Sequence, residues 1–299
     1  MDDLSFSLKT LTARMGEGSF STRALRHRGL QAMAGELRGL GYRLPDARSL
    51  KGKHVAALVG HWKGKGISDQ TIRNRLTWLR DWAMAVGKPG LLPRDNASFG
   101  LAERGRFSKN RAKPLTGDAL ARVRDERVRL ALKLEAAFGL RREEALKMRP
   151  AVADLGNRLA LRASWCKGGR YREIPVTHPK QRALLDEVKA LVRDGSLIPP
   201  GSNYVQAAKH YDHTTTKAGI GNAHGYRHAY AQWRYKVLTG WACPAAGGPT
   251  CDRMSADDER LDRSVRLQIS HELGHGRLDV TDTYLGRRWA ENTKREAAA

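Results

Sequence analysis

Apolar residues recur at helical spacing through most of the chain, and strand-like alternation is confined to one short stretch. In SDQTIRNRLTWLRDWAMAVG, Ile72, Leu76, Leu79 and Met84 fall near helical spacing, and Trp78 and Trp82 stand four apart. Ser68 is placed to cap that helix and Gly87 to stop it. Residues 20–105 therefore read as a set of short helices. Arg73, Arg75 and Arg80 decorate the same helix, which predicts either a solvated basic face or contacts with phosphates.

RGRFSKNRAKPLTG, residues 104–117, is polar and basic and has no periodicity, so a linker is expected over 106–115. Thr116 then caps a second helical segment, DALARVRDERVRLALKLEAAFG, read as one helix. NRLALRASW and RYREIPV alternate like strands around CKGGR, which predicts a β-hairpin. Helical patterning resumes at HPKQRALLDEVKALVRDG and continues toward the end, broken by TGWACPAAGGPTCD. The expected architecture is mainly α with one small hairpin, an α+β chain. A helical unit spans 1–105 and a larger mixed unit 116–299.

Composition adds the partner. Lys and Arg number 54 against 31 acidic residues, a formal net charge of +23 spread along the whole chain. Such an excess points to a polyanion, with nucleic acid ahead of an anionic membrane surface. Three cysteines, Cys166, Cys243 and Cys251, do not make a disulfide framework and fit a reducing compartment. The opening MDDLSFSLKT lacks the positive residues of a signal peptide. No run approaches the roughly 18 apolar residues of a membrane span. A soluble cytoplasmic protein is expected.

Four stretches could carry chemistry. In FGLRREEALKM, Arg141 and Glu144 share a helix face, so the carboxylate could steady a guanidinium aimed at a phosphate; an ordinary surface ion pair has the same spacing. Lys167 sits on the hairpin turn before two glycines, as an exposed lysine or as a proton donor reaching into a site. In HGYRHAYAQWRY, His224 and Arg227 lie three apart and could hold one small anion, with His228 as a spare. HELGH, residues 271–275, matches the zinc-protease pattern of two histidines around a glutamate. Its extended form fails, because Leu278 and Thr281 stand where Gly and His are required. The other reading ends a helix at Gly274, turns His275 into a site and places Tyr284 on a second short helix. A phenol needs cationic neighbours to favour its phenolate.

Taken together and in order, GLRREEAL, CKGG, HGYR and ELGHGRLDVTDTY resemble the tyrosine recombinase or phage integrase family. The resemblance is close over 115–290 and looser over 20–105. It implies that an N-terminal helical core-binding, SAM-like domain and a catalytic domain clamp double-stranded DNA. It implies that Tyr284 attacks the scissile phosphate to form a 3′-phosphotyrosyl link. Arg141 and Arg227 would clamp the phosphate oxygens, His224 would hold the phosphate and assist proton transfer, and His275 would donate a hydrogen bond to the phosphate. Lys167 would protonate the leaving oxygen, and Glu144 would hold the helix or orient Arg141. No metal or nucleotide cofactor is implied; the sequence carries no GxxxxGK[ST] loop. The resemblance further implies a homotetramer on two duplexes, a place on the nucleoid of a prokaryote, and use in integration or excision of a phage or other mobile element. Accessory DNA-bending proteins would fit that use. A type IB-like topoisomerase and a non-catalytic DNA-binding protein of the same fold are the alternatives, with the zinc protease more remote.

One departure stands out. His224 and His275 are 51 positions apart, about twice the family's usual gap. The extra length falls near 236–265 and contains Cys243 and Cys251, too few ligands for a metal site by themselves. A surface insertion touching DNA or a neighbouring protomer is expected there.

Overall fold

A computed structural model of the protein describes residues 3–101 and 110–290; residues 106–109 of the expected linker lie outside the described residues. The chain forms two compact units, Met1–Gly105 and Arg106–Ala299.

The first unit holds α1 (Asp3–Arg14), α2 (Phe20–Gly39), α3 (Gly52–Gly64) and α4 (Asp69–Ala85). Ser68 caps α4 by accepting the Thr71 N–H. Ile72, Leu76, Leu79 and Trp82 turn one stripe of α4 into a core shared with Leu30, Leu37, Leu58 and Trp62. Met84 does not join them. It lies well off that stripe at 100° per residue and is 63% exposed.

The second unit runs α5 (Gly117–Ala121), α6 (Glu126–Phe138), α7 (Arg142–Lys147), α8 (Pro150–Ala153), β1 (Arg158–Leu161), β2 (Arg172–Pro175), α9 (Pro179–Val192), α10 (Tyr204–Lys217), α11 (His224–Thr239), α12 (Ala256–Glu272) and α13 (Leu278–Leu285). The single helix expected after Thr116 is broken into α5 and α6. Asp125 accepts the Val128 N–H at 2.8 Å and so starts a new helix. β1 and β2 pair antiparallel, with Leu159 opposite Ile174. Their connection is longer than CKGGR, because Ala163–Trp165 forms a 3-10 turn before it.

Helix α11, with one face buried, packs against α6, α12 and α13. Its apolar surface joins Leu134, Phe138, Ile269, Leu273 and Leu285 in one core. The stretch 236–265 is built into this unit rather than appended to its surface. Its first residues finish α11 and its last residues begin α12. Between them Cys243 is fully buried in the core, and the Pro244–Ala246 turn packs on α13.

Candidate active site

The left-handed Gly139 (φ 61°) ends α6 and reverses the chain, which puts Arg141 at the start of α7. Glu144, fully buried, reaches back to accept the Arg141 backbone N–H and an Arg141 guanidinium N–H, both at 2.7 Å. Arg172 on β2 adds two further bonds to the same carboxylate, at 3.0 and 2.6 Å, and Arg227 stands 3.9 Å away. One buried anion thus holds three guanidinium groups. Burial pushes the Glu144 carboxyl upward, but the bonds and charges of Arg172, Arg141 and Arg227 hold it at about 2. Arg172 also donates to the Glu272 carbonyl at 2.8 Å, and Arg170 to the His275 carbonyl at 2.9 Å. The hairpin is thereby clasped to the chain leaving α12.

The first turn of α11 presents His224, Arg227 and His228. Arg227 is only 1% exposed, and its donors are fixed in three directions. Nε reaches the Tyr284 hydroxyl at 3.2 Å, and the terminal nitrogens reach the carbonyls of Gly139 and Leu273. Burial lowers its pKa to about 10, which leaves it charged at neutral pH. Beyond α12, His275 brings Nε2 to 3.1 Å from the same hydroxyl. Tyr284, on α13, is buried against the His228 ring, with centroids 4.6 Å apart. Burial, reinforced by neighbouring cations, holds His275 and His228 at about 4 and lowers His224 as well. Neutral imidazoles and a fixed guanidinium therefore surround one phenol. Such a cluster favours negative charge on an anion placed beside the phenol.

Arg141, Glu144, Arg227, His275 and Tyr284 are thus brought together, with His224 on the adjoining turn. Lys167 stands at the exposed hairpin tip, before Gly168 and Gly169, both with positive φ. It lines one open cavity together with Arg141 and His224. Sequence reasoning missed Arg172. Its only signal was a charged residue at an inward position of an alternating strand. His228 is more than a spare cation, since its ring packs on the phenol.

The zinc reading of HELGH fails on geometry. α12 ends at Glu272, so His271 remains on the helix and points outward while His275 lies past the turn beside Tyr284. The Glu272 carboxylate is occupied by Arg234 at 3.1 Å and the Tyr230 hydroxyl at 3.0 Å. Among the described residues no three His, Cys, Asp or Glu side chains group to hold a metal ion.

In the first unit the three candidate arginines are engaged internally. Arg75 pairs with Glu36 at 3.2 Å and lies over the Trp62 ring. Arg80 donates to the Pro93 carbonyl at 3.0 and 2.8 Å and to the Asn96 side chain at 3.0 Å. Arg73 lies 3.7 Å from Asp69, one turn earlier.

Residues 1–91 match the family model described as phage integrase, N-terminal, and residues 108–233 match that described as integrase. Together these cover most of the chain, and the protein belongs to the phage integrase family of tyrosine recombinases. The second match ends before His275 and Tyr284. A lambda integrase dimer bound to a COC′ core site has the same fold, with TM-score 0.59 and 17% identity over 96% of this chain and 79% of that one. A lambda integrase tetramer bound to a Holliday junction gives TM-score 0.58 and 16% identity over 96% and 79%. The Tn1549 transposon integrase in complex with circular intermediate DNA gives TM-score 0.57 and 15% identity over 98% and 99%. No curated protein matches the sequence.

Proposed function

We propose that the protein is a site-specific recombinase that cuts and rejoins double-stranded DNA through a 3′-phosphotyrosine. The Tyr284 oxygen attacks the scissile phosphorus, the P–O bond to the 5′-oxygen breaks, and Lys167 supplies the proton to that leaving oxygen. Arg141 and Arg227 hold the two non-bridging oxygens as charge accumulates. His224 and His275 bind the same phosphate, and His275 is placed to take the phenolic proton. Glu144 sets the direction of Arg141. Attack by a 5′-hydroxyl from a second duplex reverses the steps and completes strand exchange. The phosphotyrosyl bond conserves the energy of the phosphodiester, so the scheme requires no nucleotide cofactor.

The observation that carries this reading is the phenol oxygen held 3.2 Å from the buried Arg227 and 3.1 Å from His275, beside the Glu144-anchored Arg141. The charge of +23 supports a duplex DNA partner. In the first unit we assign that contact to exposed basic side chains such as Arg28, Lys51 and Lys53. Arg73, Arg75 and Arg80 then serve mainly to hold the fold. The family supports a homotetramer on two duplexes, as in the lambda integrase tetramer on a Holliday junction. It also supports action at the prokaryotic nucleoid for integration or excision of a mobile element, with or without DNA-bending partners. Among the described residues no helix is long and apolar enough to cross a membrane.

The test uses a duplex nicked close to the cleavage position, so that the covalent intermediate is trapped and read on a denaturing gel. The native protein forms an adduct, and Tyr284→Phe binds the DNA without forming one. An adduct in Tyr284→Phe places the nucleophile elsewhere.

A further inference from the structure

The chain enters the catalytic unit along the helix that carries His224 and Arg227, and a side chain of that helix links it to the nucleophile's helix. Spacing by four along α11 puts His224, His228 and Gln232 on one stripe facing α13. Gln232 Nε2 donates to the Tyr284 backbone carbonyl at 3.0 Å and to Asn110 Oδ1 at 2.8 Å. Asn110 Nδ2 returns a bond to Gln232 Oε1 at 3.4 Å. The Tyr284 carbonyl lies in the last turn of α13, where carbonyls have no partner within the helix. A side-chain amide bonded there fixes the end of the short helix that carries the phenol.

The segment supplying Asn110 is itself seated on α11. Lys113 N–H donates to the Gly225 carbonyl at 3.1 Å, and Lys113 Nζ to the Gly221 carbonyl at 3.0 Å. A Cβ at position 225 would lie 2.8 Å from Lys113 Cβ and 3.0 Å from the Arg111 carbonyl oxygen. Glycine at 225 is what lets this segment lie so close to the first turn of α11.

We infer that Asn110 and Gln232 are positioning residues, a relay that ties the chain entering the catalytic unit to the helix bearing Tyr284. The inference rests on Tyr284 as nucleophile. Neither amide reaches the phenol or the guanidinium groups, so both act through the Tyr284 backbone. Displacement of the chain at Asn110 is passed through Gln232 to the nucleophile. The rate of attack, rather than DNA affinity, depends on the pair.

The experiment measures single-turnover adduct formation by the full-length protein on the nicked duplex, with DNA affinity and thermal midpoint alongside. Gln232→Glu sets a carboxylate against the Tyr284 carbonyl and Asn110 Oδ1. It should slow the adduct about tenfold, as expected for a misplaced reacting group, at unchanged affinity and midpoint. Asn110→Ala should slow it less, and should have no further effect when added to Gln232→Ala. Native rates in the Gln232 variants, additive effects of the two alanines, or a matching loss of affinity would overturn the relay. Tyr284→Phe runs beside them. An adduct in that variant removes the nucleophile itself, whereas its absence together with native rates in the Gln232 variants removes only the relay.

Discussion

Arg227 Nε lies 3.2 Å from the Tyr284 hydroxyl, and the guanidinium that makes this contact is anchored on two backbone carbonyls. The cation beside the phenol is therefore set by the fold before any phosphate arrives. Arg227→Lys keeps a charge but loses the planar fork that reaches Tyr284, Gly139 and Leu273 at once. Adduct formation on the nicked duplex should fall by about 100- to 1000-fold, the usual loss for one such donor. DNA affinity, set by many phosphate contacts, should change little. An adduct rate within a few fold of native would mean that Arg227 only supports the fold.

Glu144 is the shared counter-ion of Arg141, Arg172 and Arg227. Glu144→Gln keeps the shape and removes the charge, which leaves buried guanidinium groups unneutralised. Breaking a buried pair in this way costs about 3–5 kcal/mol. Urea denaturation should show the loss as a lower midpoint, and adduct formation should fall because Arg141 is no longer held. A midpoint equal to native would show that the cluster is stabilised by contacts other than this carboxylate.

The helices and the hairpin were legible because burial imprints a period on neighbouring residues, as at Ile72, Leu76 and Leu79. Arg141, His224, Arg227, His275 and Tyr284 were legible because each sits in a short local motif. Arg172 was not, because its partner Glu144 is 28 positions away and its contact at Glu272 is 100 positions away. No local pattern encodes such pairs. The same reason hid the roles of Arg75 and Arg80, whose partners Glu36 and Pro93 lie on α2 and in the loop after α4. Around 236–265 the extra length between His224 and His275 suggested a surface insertion. The burial of Cys243 depends on α13 packing over it, which becomes visible only in three dimensions.

Buried titratable groups give the stability a pH signature. Burial holds His228 and His275 at about 4, below their ordinary value of 6.5. Their contribution is complete above 6.5 and is lost as pH falls toward 4. Glu135 runs the other way. Burial raises it to about 8 from 4.5, opposed by the bond from the Tyr211 hydroxyl at 2.7 Å. Its contribution is complete below 4.5 and is lost as pH rises through 8. Of these three groups, only Glu135 changes the stability between pH 6.5 and 8. The thermal midpoint should fall across that interval, and Glu135→Gln, which still accepts from Tyr211, should flatten the fall. An unchanged slope in the variant would assign the pH dependence to other groups.

Tyr284 meets Arg227 and His275 of its own chain, and the chain that follows is anchored on that same subunit. Arg266, fully buried, donates to Asp282 at 3.0 Å and to the Gly286 carbonyl at 2.8 Å. Asp262 holds Arg266 and Arg288, each at 2.7 Å, and accepts from the Tyr235 hydroxyl at 2.7 Å. Delivery of the phenol to another subunit would require this buried network to open, with Asp262 and Arg266 both losing partners away from water. Each subunit should therefore cleave with its own tyrosine. Tyr284→Phe and Arg227→Ala, each inactive alone, should remain inactive when mixed on the nicked duplex at any ratio. Adduct recovered in the mixture would mean that a tyrosine from one subunit serves the arginines of another. In that event Asp262→Asn, which loosens the anchor, should raise the recovered yield.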